Sequence, residues 1–289
     1  MKEITLPPDY NYIGVFLTLD CNYRCGYCLN RFGEYRAPRA GLSGEEWVRG
    51  LNRLKARVDL PVTLQGGEPS LHKEFIYIIN NLKPDLPIDI LTNLQFDPEE
   101  FMGKVDPARL RRDAPYASIR VSFHPEVMDL GETLEKSLRL LRAGFSIGIW
   151  VVEHPRYREI IRRAREMALG MGINFRSKEF LGYYQERLYG TYKYNDACER
   201  RSARRVSCRT TELIIAPNGG VYRCHSDMYE DRPCAGNILE DNFEIIDVYR
   251  RCENFGYCHP CDVKIKTNRF QESGHTSVAI NLGGETSDG

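Results

Sequence analysis

The chain has 289 residues, enough to bury a sizeable core in one large domain or in one domain with a small partner. Forty basic residues balance forty acidic ones, so no charge excess marks the chain for nucleic acid or a membrane surface. No apolar run approaches a membrane span, and Met1 to Pro8 lacks the apolar core of a signal peptide, which predicts a cytoplasmic protein. Ten cysteines in such a chain point to metal or redox chemistry rather than to a disulfide framework. They fall in two groups, three at residues 21 to 28 and seven beyond residue 197, which suggests two metal centres.

In chain order, the apolar run Ile13 to Leu19 reads as a first strand, and Cys21, Cys25 and Cys28 follow it at C-x3-C-x2-C spacing. Three thiols are one too few for a closed cubane or structural zinc site, so one metal position stays open for a cofactor or substrate. On spacing alone a zinc loop is the alternative. A helix is predicted over Ser43 to Val58, with Ser43 as N-cap and Glu46 completing a capping box. A second strand, Val62 to Gln65, runs into the turn Gly66-Gly67-Glu68-Pro69, and a helix follows near Lys73 to Leu82. The third strand, Ile88 to Thr92, ends at Asn93; Asp97 to Pro115 reads as an irregular helix at best. Strand four (Ser118 to Phe123), a helix (Gly131 to Ala143), strand five (Phe145 to Val152), a helix (Arg156 to Leu169) and strand six (Ile173 to Arg176) complete the alternation.

Six such units predict an α/β fold, a partial (β/α)6 TIM-like barrel over residues 11 to 185. In parallel barrels the site lies where the strands end, which singles out Asp20, Gln65 to Glu68, Asn93, Ser122, His124, Glu153, His154, Lys178 and Glu179. His124, Glu153 and His154 are the candidates for moving protons. For each His, followed by Pro, the alternative is a cap on the next helix.

Past residue 180 the texture changes. Phe180 to Asp196 is tyrosine-rich and reads as an ordered bridge, and Arg200 to Arg205 as a solvated basic loop. Glu212 to Arg223 has the pattern of a β-hairpin with an Asn218-Gly219 turn, expected to return Cys224 beside Cys208. Cys258 and Cys261 then complete four ligands, with Cys252 in reserve and Cys198 and Cys234 behind it. Zinc is the alternative to iron for four thiols. The expected division is a small cysteine-rich domain over 186 to 265 and a tail over 266 to 289.

The three-cysteine loop after the first strand and Gly66-Gly67-Glu68 after the second, in that order, resemble the radical S-adenosylmethionine (SAM) enzymes. The resemblance implies a 4Fe-4S cluster on Cys21, Cys25 and Cys28, its fourth iron chelated by SAM. It places Tyr27 beside the adenine and Gly66, Gly67 and Glu68 around the methionine ammonium, with Asn93 and Ser122 as further SAM contacts. The later spacing, Cys208, ten residues, Gly219, four residues, Cys224, resembles the SPASM/Twitch extension of that family, here with one auxiliary 4Fe-4S cluster on Cys208, Cys224, Cys258 and Cys261. The implied chemistry is reductive cleavage of SAM, driven by a flavodoxin- or ferredoxin-type reductant, to a 5′-deoxyadenosyl radical that takes hydrogen from a substrate C–H bond. About ten residues precede the first strand, too few for a leader-binding domain, which favours a small-molecule or sugar-like substrate over a peptide. A peptide maturase and a non-catalytic iron-sulfur or zinc protein are the competing readings.

Overall fold

The structure is a computed structural model and describes residues 2–31, 41–57, 59–266 and 275–282. Six parallel strands form its frame: β1 (Tyr12–Thr18), β2 (Val62–Gly66), β3 (Ile88–Thr92), β4 (Ile119–Phe123), β5 (Ile147–Glu153) and β6 (Asn174–Glu179). They pair in chain order. Each crossover carries one of the helices α1 (Gly44–Leu51), α2 (Phe75–Asn81), α3 (Pro98–Lys104), α4 (Leu130–Arg142) and α5 (Arg158–Gly170). The predicted barrel frame is therefore present.

Local chemistry sets the helix ends. Ser43 and Glu46 cap α1 reciprocally, and Trp47 and Leu51 bury its apolar face. This helix stops well before the expected Val58, which lies outside the described residues. Leu54 and Lys55 pair instead with Ile4 and Thr5 as a short parallel bridge that buries Leu54. The stretch after Asp97 is more regular than its sequence suggests, because Asp97 caps α3, Pro98 opens it and Phe101 anchors it in the core.

Along each strand alternate residues face the helices or the barrel interior. The helix-facing set is aliphatic: Ile13, Val15, Val62, Leu64, Ile90, Val121 and Ile149 join Trp47, Ile78, Leu134 and Ile161 in one core. The inward set is mixed, with its charged residues in the lower layer. Asp89, 1% exposed, is ion-paired with Arg112 and with Arg120 (3.0 Å) near the N-terminal ends of β3 and β4. Arg176 lies over the Trp150 ring, and Tyr12 donates to Gln65 Oε1 (2.9 Å). Charge thus fills the lower barrel, and the upper end is left to the site.

Beyond β6 come β7 (Arg204–Thr210), β8 (Glu212–Ile215), β9 (Gly220–Tyr222), β10 (Gly236–Asn237), β11 (Arg250–Phe255) and β12 (Val278–Asn281), with short helices α6 (His225–Tyr229) and α7 (Pro260–Val263). The expected hairpin forms as β8 and β9, but it does not carry Cys208. That residue lies on β7, the central strand of a separate antiparallel sheet with β11 and β12. The chain changes sheets at Thr211, whose N–H donates to Ser277 O. Then β8 pairs parallel to β1, Glu212 opposite Tyr12, so the hairpin, with β10 paired beyond β9, extends the main sheet to nine strands. Residues expected in a tail also contribute, since β12 buries Val278 and Ile280 against β7; 267–274 and 283–289 lie outside the described residues. No helix among the described residues is long and apolar enough to cross a membrane.

Candidate active site and metal centres

At the C-terminal ends of the six strands lies a cavity of about 750 Å³. One inward residue from each strand forms its floor: Phe16, Gln65, Leu91, Ser122, Val152 and Lys178. Their spacing by two from Gly14, Thr63, Asp89, Arg120, Trp150 and Arg176 places the polar barrel interior one layer below. Cys21, Cys25, Tyr27, Cys28, Gly66, Gly67, Glu68, Asn93, Ser122 and His124, all named from sequence, line this same cavity.

The cysteine loop and the Gly-Gly turn are held against each other by backbone. Gly67 N–H donates to Thr18 O (2.9 Å) and Glu68 N–H to Asp20 O (2.8 Å). A Cβ on Gly66 would lie 1.9 Å from Thr18 O, and one on Gly67 2.1 Å from Asp20 O. Gly66 also has φ +152°, a conformation that disfavours any side chain. These glycines are thus required first by the approach of two protein segments.

Glu68 is buried, and its Oε1 accepts from Ser70 N–H (3.1 Å), Ser70 Oγ (2.6 Å) and Thr92 Oγ1 (2.7 Å), its Oε2 from Asn93 N–H (2.7 Å). Burial raises its pKa while these donors work to lower it. A carboxylate has about four lone-pair sites, so Oε2 keeps one for a further donor. Beside it, Asn93 Nδ2 donates to Asn22 Oδ1 (2.8 Å), while the buried Asn93 Oδ1 has no hydrogen-bond partner among the described residues. A ligand presenting N–H or O–H groups would satisfy both acceptors.

Tyr27 lines the cavity, shares a hydrogen bond with His124 Nδ1 (3.1 Å) and stacks at 5.3 Å on His154. Burial pushes His124 down to about 4, against the opposing pull of Glu126, so its imidazole is neutral near pH 7 and fixes Tyr27. His154 and Glu153 are differently placed. His154 Nδ1 accepts from Arg156 N–H (3.2 Å), capping the turn Pro155–Tyr157, and its ring packs among Tyr27, Tyr157, Phe180 and Tyr184. Glu153 has helix-side parity, is exposed, and faces Arg165 at 3.8 Å. Neither is among the residues lining the large cavity. Lys178, on the floor, is exposed to the cavity. Packing around it, with Arg120, Lys264 and Lys266, lowers its pKa against the pull of Cys261, a shift that its exposure screens.

The second cysteine group converges from two sheets. Cys208 from β7, Cys224 at the start of α6, Cys252 from β11 and Cys258 line a smaller cavity of about 80 Å³. Cys208 and Cys252 sit on diagonal positions of paired strands and share a sulfur hydrogen bond, which raises the Cys208 thiol and lowers Cys252. Cys261, one turn beyond Cys258 on α7, opens on the large cavity. Cys198 is packed in the small sheet's core and Cys234 is exposed. Hydrogen bonds link this region to the first loop: His259 Nε2 donates to Leu29 O (2.8 Å), Tyr229 Oη to Asn30 Oδ1 (2.7 Å), and Asn30 Nδ2 to Gly66 O (2.8 Å).

Among the described residues no group of three or more His, Cys, Asp or Glu side chains is gathered on a common ion point. The fit of a metal centre rests on donor chemistry. Burial pushes Cys25 up to about 12, with Cys28 and Cys21 adding to it, and a bound cation would favour its thiolate form. Thiolate-only donor sets suit iron-sulfur clusters or zinc.

The radical SAM superfamily model matches residues 15–155. Molybdenum cofactor biosynthesis protein moc-5 of Caenorhabditis elegans is 23% identical over 67% of this chain and 36% of its own length. GTP 3′,8-cyclase of Alkaliphilus metalliredigens is 28% identical over 50% of this chain and 48% of its own. A probable GTP 3′,8-cyclase of Methanopyrus kandleri is 38% identical over 28% of this chain and 26% of its own. The matched regions thus span less than half of these relatives. Among solved structures, Streptococcus suis SuiB bound to precursor peptide SuiA superposes with a TM-score of 0.56 and 14% identity, covering 81% of this chain and 63% of that one. Native anSMEcpe with bound AdoMet and a peptide gives 0.51 at 14% identity, covering 82% and 78%. These likenesses agree with a partial barrel followed by a cysteine-rich region.

Gly67→Ala is expected to push the two turns apart and destabilise the fold by about 1–3 kcal/mol. Urea unfolding reads this directly, and an unchanged midpoint would show that the turns are not packed as described.

Proposed function

We propose that the chain is a radical SAM enzyme, matching that superfamily over residues 15–155, which generates a 5′-deoxyadenosyl radical in the large cavity and abstracts hydrogen from a small-molecule substrate. The observation that carries this reading is that the three thiols, the Gly66–Glu68 turn, Asn93 and Ser122 border one cavity at the strand ends. Cys21, Cys25 and Cys28 would hold a 4Fe-4S cluster, leaving one iron for the amino and carboxylate groups of SAM. When bound, cluster and SAM supply the radical, given one electron from a flavodoxin- or ferredoxin-type donor. The chain's own part is positioning. Glu68 Oε2 and Asn93 Oδ1 are the acceptors offered to the SAM ammonium and hydroxyls, Tyr27, steadied by His124, flanks the adenine, and Phe16, Leu91 and Val152 make an apolar floor that limits water near the radical. His154 and Glu153 act in this reading as a cap and a surface ion pair, not as proton carriers. We place the enzyme in the cytoplasm, where its ten free cysteines stay reduced.

The second centre is proposed as one auxiliary 4Fe-4S cluster on Cys208, Cys224, Cys258 and a fourth thiol. Cavity membership favours Cys252 for that position, whereas C-x2-C spacing favours Cys261. A small-molecule substrate accords with the names of the GTP cyclase relatives. A peptide substrate is the second reading, favoured by the peptide in the SuiB complex.

Cys25→Ala is expected to abolish 5′-deoxyadenosine formation while leaving the auxiliary iron in place; cleavage at the wild-type rate would end the assignment. For the fourth ligand, Cys252→Ala and Cys261→Ala are compared by iron content after anaerobic reconstitution. Loss of about four irons from the Cys252 variant alone supports the cavity grouping, and the same loss from the Cys261 variant alone restores the spacing-based set.

A further inference from the structure

The large cavity holds two lysines that the fold does not neutralise. Lys178 occupies the last floor position, on β6, and Lys264 reaches the same cavity from just past α7. A short linkage sets them side by side: Thr191 Oγ1 donates to Glu179, next to Lys178, and Thr191 O accepts from Ile265 N–H (2.8 Å), next to Lys264. Among the described residues neither lysine is in an ion pair. Of the neighbouring charges, Lys266 pairs with Glu212 and Ser277, Arg120 with Asp89, Glu179 bonds Thr191 and Glu68 has four donors, while Cys261 pulls on both lysines without forming an ion pair.

Two ammoniums that face one cavity without an ion pair repel one another, and an anion between them would relieve that repulsion. In strand order β6 lies four strands from β2, which carries the Gly66–Glu68 turn proposed for the SAM ammonium. We propose that Lys178 and Lys264 form an anion subsite for the substrate, so that the molecule whose hydrogen is abstracted here carries a carboxylate or phosphate group by which it is oriented. This rests on the radical SAM reading of the cavity and adds the chemical class of what it binds.

Calorimetry on the full reconstituted chain with SAM present tests it, with pyrophosphate and glutarate as probes. Wild type is expected to bind at least one of them, and Lys178→Met and Lys264→Met each to weaken that binding by about tenfold or more, with Lys178→Arg restoring most of it. SAM affinity stays unchanged in all variants. Preference for pyrophosphate marks a phosphorylated substrate, and preference for glutarate a carboxylate. Met variants that bind the probes like wild type, or a wild type that binds SAM but neither probe, would overturn the proposal. So would an equal loss of SAM affinity in the variants, which would assign the lysines to the cofactor. A wild type that does not bind SAM at all would instead bring down the underlying reading.

Discussion

The site depends on a contact with no room for a side chain. Two backbone hydrogen bonds, from Gly67 to Thr18 and from Glu68 to Asp20, clamp the end of β2 onto the end of β1, where added Cβ atoms would overlap carbonyl oxygens. That clamp fixes the cysteine loop relative to the Glu68 carboxylate. Glu68 extends it to β3 through Thr92 and Asn93, so three strand ends are tied at one buried group. A carboxylate with that many donors holds position without a ligand, which is the kind of preorganisation radical chemistry needs.

Below the clamp the barrel spends its inward positions on charge. Asp89 with Arg112 and Arg120 is nearly dry, and in such a setting losing one partner is far more costly than the net worth of the pair. The arrangement keeps the lower barrel filled and polar while the upper layer, from Phe16 round to Lys178, stays open. Strand parity therefore divides the interior into a plugged end and a reactive end.

Much of this was legible in the sequence for a physical reason. Buried parallel strands are short apolar runs between helices, one of them with a clear cap at Ser43, and both motifs sit at strand ends, where a barrel exposes backbone. What escaped were contacts made at long range. Helix α1 stops early because Leu54 pairs with Ile4, a partner fifty residues away. The Asn-Gly turn correctly predicted a hairpin, but nothing local told that β8 would dock on β1 and that Cys208 would sit on a strand of another sheet. His154 followed by Pro155 looks the same in sequence whether it faces a substrate or caps a turn, and the structure has it cap. Lys178 was singled out from the sequence as a residue at a strand end, and the sixth strand, running through Glu179, makes it an inward residue.

One assay tests the radical chemistry directly: anaerobically reconstituted chain, reduced in the presence of SAM, and analysed for 5′-deoxyadenosine together with iron. A two-cluster radical SAM enzyme yields deoxyadenosine and about eight irons per chain. Iron bound but no deoxyadenosine would contradict that assignment, and would make the three-thiol loop a binding site without radical chemistry.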